Sequence, residues 1–416
     1  MKTSARAISA IGPALAVVVI ALGLVPAAAE HDPLPRVAPG TVGLSAAKLD
    51  EATALLQRLV DERRVAGAVG AVARRGKLAY LKAVGWQDLE SRTPMTDHSL
   101  FRIYSMTKSV TAVAVMQLFE EGRFSLSDPV AKYLPEFGDL RVGSTRRAPA
   151  RPITVEDLLL HTSGLNHRTS EEYRTAKVRS RSMTLPQFIT NITRVPLMED
   201  PGTRYRYSES ITVLGRLVEI WSGQPFDVYL NRRIFTPLGM TDTGFWTRPE
   251  QRTRLSTVYA RASDSGLRAI EIEDVPFTER PALLEGAVGL LSTVPDYLRF
   301  SQMLLNNGEL DGVRVLRAAT VERIVANGLP PAVLAERGGK MGWGLANVNV
   351  VIDSTAVSYP ANRGEYGWDG SAGTIFWVDP GTQLVTILMA QSSPANPDRM
   401  REQFKTLVEE SKMAGR

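Results

Sequence analysis

Residues 101–115 read FRIYSMTKSVTAVAV, and the run stays largely apolar to Phe119. A helix that is apolar all round is a buried one, so the stretch from Val110 predicts a helix inside the core. Ser105 and Lys108 stand three positions apart at its start, a spacing that puts both on one helix face. A serine hydroxyl is a weak nucleophile and needs a base. An amine desolvated near the positive end of a helix loses its preference for the ammonium form and can take that proton. The unpaired N–H groups of a helix N-terminus also suit an oxyanion. The spacing alone is unspecific, because Ser45 and Lys48 repeat it. There an amphipathic setting predicts a helix cap and a solvated lysine. For Ser105 the residues by themselves leave a catalytic pair and a structural pair both open.

The flanking sequence predicts an α+β fold. On the N-terminal side, residues 45–64 read as a helix with Leu49, Ala52, Leu56, Leu59 and Val60 on one face. Residues 67–73 and 78–86, joined by RRGK, read as a β-hairpin. From about 120 to 290 strand signals are sparse and helical pieces are broken by Pro and Gly. In TVEDLLLHTSGL, Thr154 is expected to cap a helix that stops at Gly164, and ITVLGRLVEIWSG ends a nearly apolar helix at Gly223. Strands return with GWGLANVNVVI (342–352), read as one strand. GTIFWVDPGTQLVTILMAQ (373–391) reads as a hairpin turning at Asp379-Pro380-Gly381. A closing helix is expected from Pro397, with Asn396 as cap and Met400, Phe404, Leu407 and Val408 as its apolar face. The result is an antiparallel sheet flanked by N- and C-terminal helices, with an inserted mainly helical lobe. The α/β lobe takes about 40–120 and 290–416, and the helical lobe about 120–290.

Composition narrows the function. Lys2 and Arg6, the apolar stretch 11–25 and the small residues Ala27 and Ala29 form the pattern of a signal peptide cleaved after Ala29. The expectation is a periplasmic or secreted protein with no stable membrane span after processing. With no cysteine there is neither a disulfide framework nor thiol chemistry. The net charge is +5, and the densest basic stretches, Arg141 to Arg151 and Arg168 to Arg181, read as solvated surface rather than a nucleic-acid site. No G-x-S-x-G elbow is present, and no histidine follows His167. A nucleophile–acid–histidine triad in α/β-hydrolase order is therefore excluded. His161 and His167 have no partner at ligand spacing and read as structural, so no metal is expected.

The chain resembles the serine β-lactamase and penicillin-binding-protein superfamily, in its class C β-lactamase-like branch, and is most similar there to the family VIII carboxylesterases. FRIYSMTKSVTAVAV, LSDPVAKYLPEF, ITVEDLLLHTSGL, YRYSES, FTPLGMTDTGF, LLSTVPDYLRFSQMLLNNGELDG and YGWDGSAGTIFWVDP match the family's blocks in its order. The resemblance implies that Ser105 is the acylated nucleophile, Lys108 its general base and Tyr207 a partner in proton transfer. It places the third motif, beside the substrate, on Trp368, Asp369 and Gly370. It gives the oxyanion hole the N–H groups of Ser105 and Ser371. A cofactor is not implied.

Two departures bear on substrate. Glu209 stands where the second motif usually has asparagine. Trp368 stands where the third usually has a lysine or histidine that holds a substrate carboxylate. An aromatic face suits an uncharged group instead. The expectation is an exported serine hydrolase acting on a small-molecule carboxylic ester. The rivals are a β-lactamase or D-alanyl-D-alanine carboxypeptidase, and a non-catalytic binder of cell-wall peptides. For Glu209 two orientations stay open, inward beside Tyr207 and Lys108, or outward to water or to an arginine such as Arg206 or Arg204. Trp221, Trp246 and residues 167–182 are candidate pocket walls, for which core packing or plain surface is the simpler expectation.

Overall fold

One eight-stranded sheet, antiparallel throughout, carries the fold in this computed structural model, which describes residues 33–262 and 266–413. The expected signal peptide lies outside them. The strands are β1 (Gly67–Arg74), β2 (Lys77–Asp88), β3 (Thr93–Pro94), β4 (Met341–Gly344), β5 (Val348–Val351), β6 (Tyr366–Gly370), β7 (Thr374–Asp379) and β8 (Leu384–Ala390). Their order is β4-β5-β6-β7-β8-β1-β2-β3. β8 and β1 pair in the interior of the sheet, with Ala68 opposite Ala390 and Arg74 opposite Leu384. Successive side chains of a strand face opposite sides, and here both sides are buried. Val69, Ala71 and Ala73 of β1, with Val385, Ile387 and Met389 of β8, join one core. Ala68 and Val72, with Leu384, Leu388 and Ala390, join a second.

The second core is closed by α1 (Ala46–Asp61) and a C-terminal helix, Met400–Glu410. Ser45 caps α1, its hydroxyl accepting from the Lys48 N–H at 3.4 Å. The expected apolar face is buried apart from Val60, which packs half-buried against it. A Cβ on Gly70 would stand 2.7 Å from the Phe404 ring, so glycine there lets the C-terminal helix seat on the sheet. Truncating a buried phenylalanine of this kind costs about 3–5 kcal/mol.

The first core is built on α2 (Thr107–Glu120), whose residues 107–118 are all buried. Between α2 and β4 the regular structure is mainly helical, and its strands are short. Two of its helices bear on the site: α3 (Val155–Leu159) and α4 (Ser210–Ser222), the latter ended by Gly223 in the left-handed region.

Three element boundaries differ from expectation. Residues 342–352 are two strands, because Asn347 adopts φ 57° and turns the chain between β4 and β5. Thr154 does cap α3, in a reciprocal box with Asp157, but the helix ends at Leu159, where His161 adopts φ 56°. The C-terminal helix starts at Met400, after a turn in which Asp398 and Arg399 have positive φ. Arg399, not Asn396, is therefore the residue at its N-cap, although the Asn396 side chain reaches over the turn to accept from the Arg401 N–H at 3.0 Å. The hairpin at Asp379 turns where expected, and the Asp379 carboxylate accepts from the Gly381 N–H at 2.9 Å and the Thr382 hydroxyl at 2.6 Å.

Candidate active site

Ser105 sits not in the first turn of α2 but in the short 3-10 turn Tyr104–Met106 that runs into it. Tyr104, fully buried, holds φ 40°. A non-glycine residue there stores strain of order 1–3 kcal/mol and persists only where its surroundings over-determine it. Here the Ile103 N–H donates to the Leu290 carbonyl at 3.1 Å, and the Leu290 N–H to the Thr107 hydroxyl at 3.1 Å. The Tyr297 hydroxyl holds the Met106 carbonyl at 2.9 Å.

Lys108 is 2% exposed. Its Nζ donates to the Ala287 carbonyl at 2.9 Å and lies 3.4 Å from Ser105 Oγ. It also lies 4.6 Å from the centre of the Tyr207 ring. Burial pulls its pKa down to about 7, against the pull of the Glu209 carboxylate and with the help of the Arg168 charge. Free amine is therefore accessible near neutral pH, which an exposed lysine does not offer.

Tyr207 precedes α4. Its hydroxyl accepts from Trp368 Nε1 at 3.0 Å, and burial pushes the phenol far above the ordinary tyrosine value, against a hydrogen bond shared with Ser105. Of the two groups beside Ser105, the lysine is thus the one able to act as a base near neutrality. Rings wall Tyr207 in: His161 at 4.7 Å, Trp368 at 5.3 Å and His167 at 5.7 Å between centres. Trp343 meets Trp368 edge-on at 4.6 Å. His161 Nδ1 accepts from the Ser208 N–H at 3.2 Å, and burial holds this imidazole neutral. His167 Nδ1 is 2.7 Å from the Thr169 hydroxyl. Both histidines brace the tyrosine. Among the described residues no group of three or more histidines and carboxylates is placed to hold a metal ion.

β6 passes beside the serine turn. A Cβ on Gly370 would stand 2.4 Å from the Ile103 carbonyl, so only glycine lets the strand approach this closely. Ser371 follows directly at the strand end. Trp368 reaches Tyr207, but Asp369, on the alternate face, is paired with Arg401 of the C-terminal helix. Asp369 thus stands in an ion pair at the sheet, and the indole is the third-motif side chain that meets Tyr207. The third motif divides between the two sides of the sheet because strand side chains alternate.

Glu209 is 1% exposed, and its carboxylate accepts from the Thr212 hydroxyl at 3.2 Å. The outward alternative is closed, since Arg204 pairs with Glu336 and Arg206 with Glu199. The basic stretch 168–181 was expected to be solvated, and at three positions it is not. Arg181 is 1% exposed, and Arg168 and Arg179 are largely buried against Glu273 and Glu285. The carboxylates lie about a hundred residues away in sequence, so local composition could not reveal them. The acidic residue in the apolar run LLEGAVGLLS was the available signal. Trp221 packs in the core, stacked on Phe124 at 3.9 Å. Trp246 lines a cavity of about 360 Å³ with Phe235 and Phe245, and none of Ser105, Lys108 and Tyr207 borders it.

Residues 52–408 match the family model described as Beta-lactamase. The chain belongs to the beta-lactamase family. Protein Rv1367c of Mycobacterium tuberculosis is 33% identical over 368 residues, 83% of this chain and 90% of that one. Esterase EstB of Burkholderia gladioli is 29% identical, covering 84% of this chain and 91% of that protein. Among solved structures, EstCE1, "a hydrolase with promiscuous acyltransferase activity", superposes with TM-score 0.78 at 25% identity over 87% of this chain and 98% of its own. The matched residues cover the whole sheet, the Ser105 turn and most of both terminal helices. No described helix is long and apolar enough to cross a membrane.

Proposed function

We propose that this protein cleaves uncharged carboxylic esters through an acyl-enzyme on Ser105. The observation that carries the reading is the dehydrated Lys108 amine beside the Ser105 hydroxyl, with an indole instead of a cation at the third-motif position. Lys108 takes the hydroxyl proton as Oγ bonds to the ester carbonyl carbon. The N–H groups of Ser105 and Ser371 receive the oxyanion. Collapse expels the alcohol, which takes a proton from the Lys108 ammonium, with the Tyr207 phenol relaying it. Water, or a second alcohol, then attacks the acyl carbon by the reverse route. That EstB is an esterase and EstCE1 a hydrolase with promiscuous acyltransferase activity supports the ester chemistry and the choice between water and alcohol. Within the superfamily this reading puts the chain with the carboxylesterases.

With Trp368 in place of a carboxylate-holding cation, kcat/KM for short-chain p-nitrophenyl esters should exceed that for cephalosporins or D-Ala-D-Ala peptides by at least about a hundredfold, the scale of removing a charged recognition contact. Steady-state rates on the three substrates decide. Comparable turnover of a β-lactam or peptide would overturn the esterase reading, and binding without turnover of any would leave a binder.

Glu209 tunes the same step. Its carboxylate favours the ammonium form of Lys108, so Glu209→Gln should lower the lysine pKa. The acidic limb of the kcat/KM profile should move to lower pH, by roughly a unit. An unmoved limb in a folded variant would remove Glu209 from the mechanism.

A further inference from the structure

The Ala287 carbonyl that holds the Lys108 amine belongs to a segment, Glu285–Gly286–Ala287, wedged between two helices. From α2, the Thr111 hydroxyl donates to the Gly286 carbonyl at 2.7 Å. From α4, the Ile211 carbonyl would stand 2.6 Å from a Cβ on Gly286. What ties the segment down on its other side is a charge. Glu285 is fully buried, and Arg179 grips it side-on with one edge of its guanidinium: Nε to Oε1 at 2.5 Å and Nη2 to Oε2 at 2.7 Å. The same Nη2 donates to Glu273 at 2.6 Å. A planar fork of this kind fixes direction as well as distance, which a lysine cannot do.

We propose that Arg179 is a positioning residue for Lys108: by gripping Glu285 it fixes the Ala287 carbonyl that holds the lysine amine against Ser105. The proposal rests on the reading of Lys108 as the base. Arg179 does not contact Ser105, Lys108 or Tyr207, and it acts through the segment and through charge. The charged and titratable groups around the amine are Glu209, Glu285 and Asp369 on the acidic side, Arg168 on the basic side, and Tyr207, His161 and His167 as rings. With Asp369 paired to Arg401, Arg168, Arg179 and Arg181 stand against Glu209, Glu273 and Glu285, three of each sign. The cluster is therefore balanced when Lys108 is a neutral amine, the form the reaction needs. Without Arg179, the Glu285 carboxylate is left to favour the ammonium and free to carry Ala287 out of register.

The test is the pH dependence of kcat/KM and kcat for p-nitrophenyl butyrate with the full chain. Arg179→Met should move the acidic limb to higher pH by about one unit, which at pH 7 alone lowers the rate about fivefold. The loss should fall on kcat with KM little changed. Glu285→Gln should move the limb the opposite way, to lower pH, because the carboxylate that favours the ammonium is gone. Arg179→Lys should keep the limb in place while kcat falls. If Arg179→Met does not fold, the opposite shift in Glu285→Gln and the unmoved limb in Arg179→Lys carry the test. Rates that fall with no movement of the limb in Arg179→Met or Glu285→Gln would mean a merely structural pair and overturn the proposal. So would an unchanged Arg179→Met enzyme. A wild-type protein without ester turnover, or without any limb near pH 7, would instead defeat the reading of Lys108 on which this rests.

Discussion

Ser105→Ala is expected to lower kcat/KM for p-nitrophenyl butyrate by at least about three orders of magnitude, the scale of losing a nucleophile whose base and oxyanion donors remain. The fold should be untouched. Ser105 is only half-buried, and its turn is held by the backbone of Ile103 and Met106, not by its own hydroxyl. Matching thermal denaturation curves for the two proteins establish that, and initial rates read the effect. Other serines offer a contrast. Ser45 caps a surface helix, with Lys48 held by Glu51 and Glu410. The Ser163 hydroxyl is buried 2.8 Å from the Ser210 hydroxyl. Neither has a dehydrated amine, so Ser45→Ala should keep full rate. Retention of more than a tenth of the rate in Ser105→Ala would end the assignment.

Lys108→Met should cost a comparable amount, roughly a thousandfold, within the range for removing a general base. Methionine fits an unbranched slot, but the Ala287 carbonyl loses its donor, so stability should fall by about 1–3 kcal/mol. The pH profile separates loss of a base from loss of packing. In the wild type kcat/KM should rise through about pH 7 as the buried ammonium gives up its proton. The sign follows from burial: desolvation disfavours the charged form, so the active amine appears well below the usual lysine value. In Lys108→Met the residual rate should lose that limb. A variant whose slower rate still rises through pH 7 would show that another group is the base, and Tyr207 is poorly placed for it because burial keeps the phenol protonated.

What could be read from the sequence was what is encoded locally. The buried helix after Ser105 was legible because its apolar residues are continuous, and the Asp379 turn because its residues are self-sufficient. The caps at Ser45 and Thr154 were legible for the same reason, even where the helix beyond was shorter than expected. The Asn347 turn was missed, since an Asn in an alternating apolar run looks like a strand residue until its φ is known. The site divides along the same line. Ser105, Lys108, Tyr207 and Trp368 fall in recognisable blocks, and the structure brings them together. Asp369 fell in such a block too, but a strand's alternation turned it toward Arg401. Arg179, Glu285 and the Ala287 carbonyl could not be assembled from sequence, because they meet only through long-range packing. The direction of Glu209 likewise depended on which carboxylates had already claimed Arg204 and Arg206.

The central claim is that a covalent intermediate forms on Ser105 and on no other serine. Intact mass spectrometry after brief exposure to a fluorophosphonate, followed by peptide mapping, tests it in one measurement. The account predicts a single adduct, on the peptide carrying Ser105, formed faster as pH rises through about 7 and absent in Lys108→Met over the same interval. An adduct on Ser45, Ser163 or Ser371, or none on a folded protein, would contradict it.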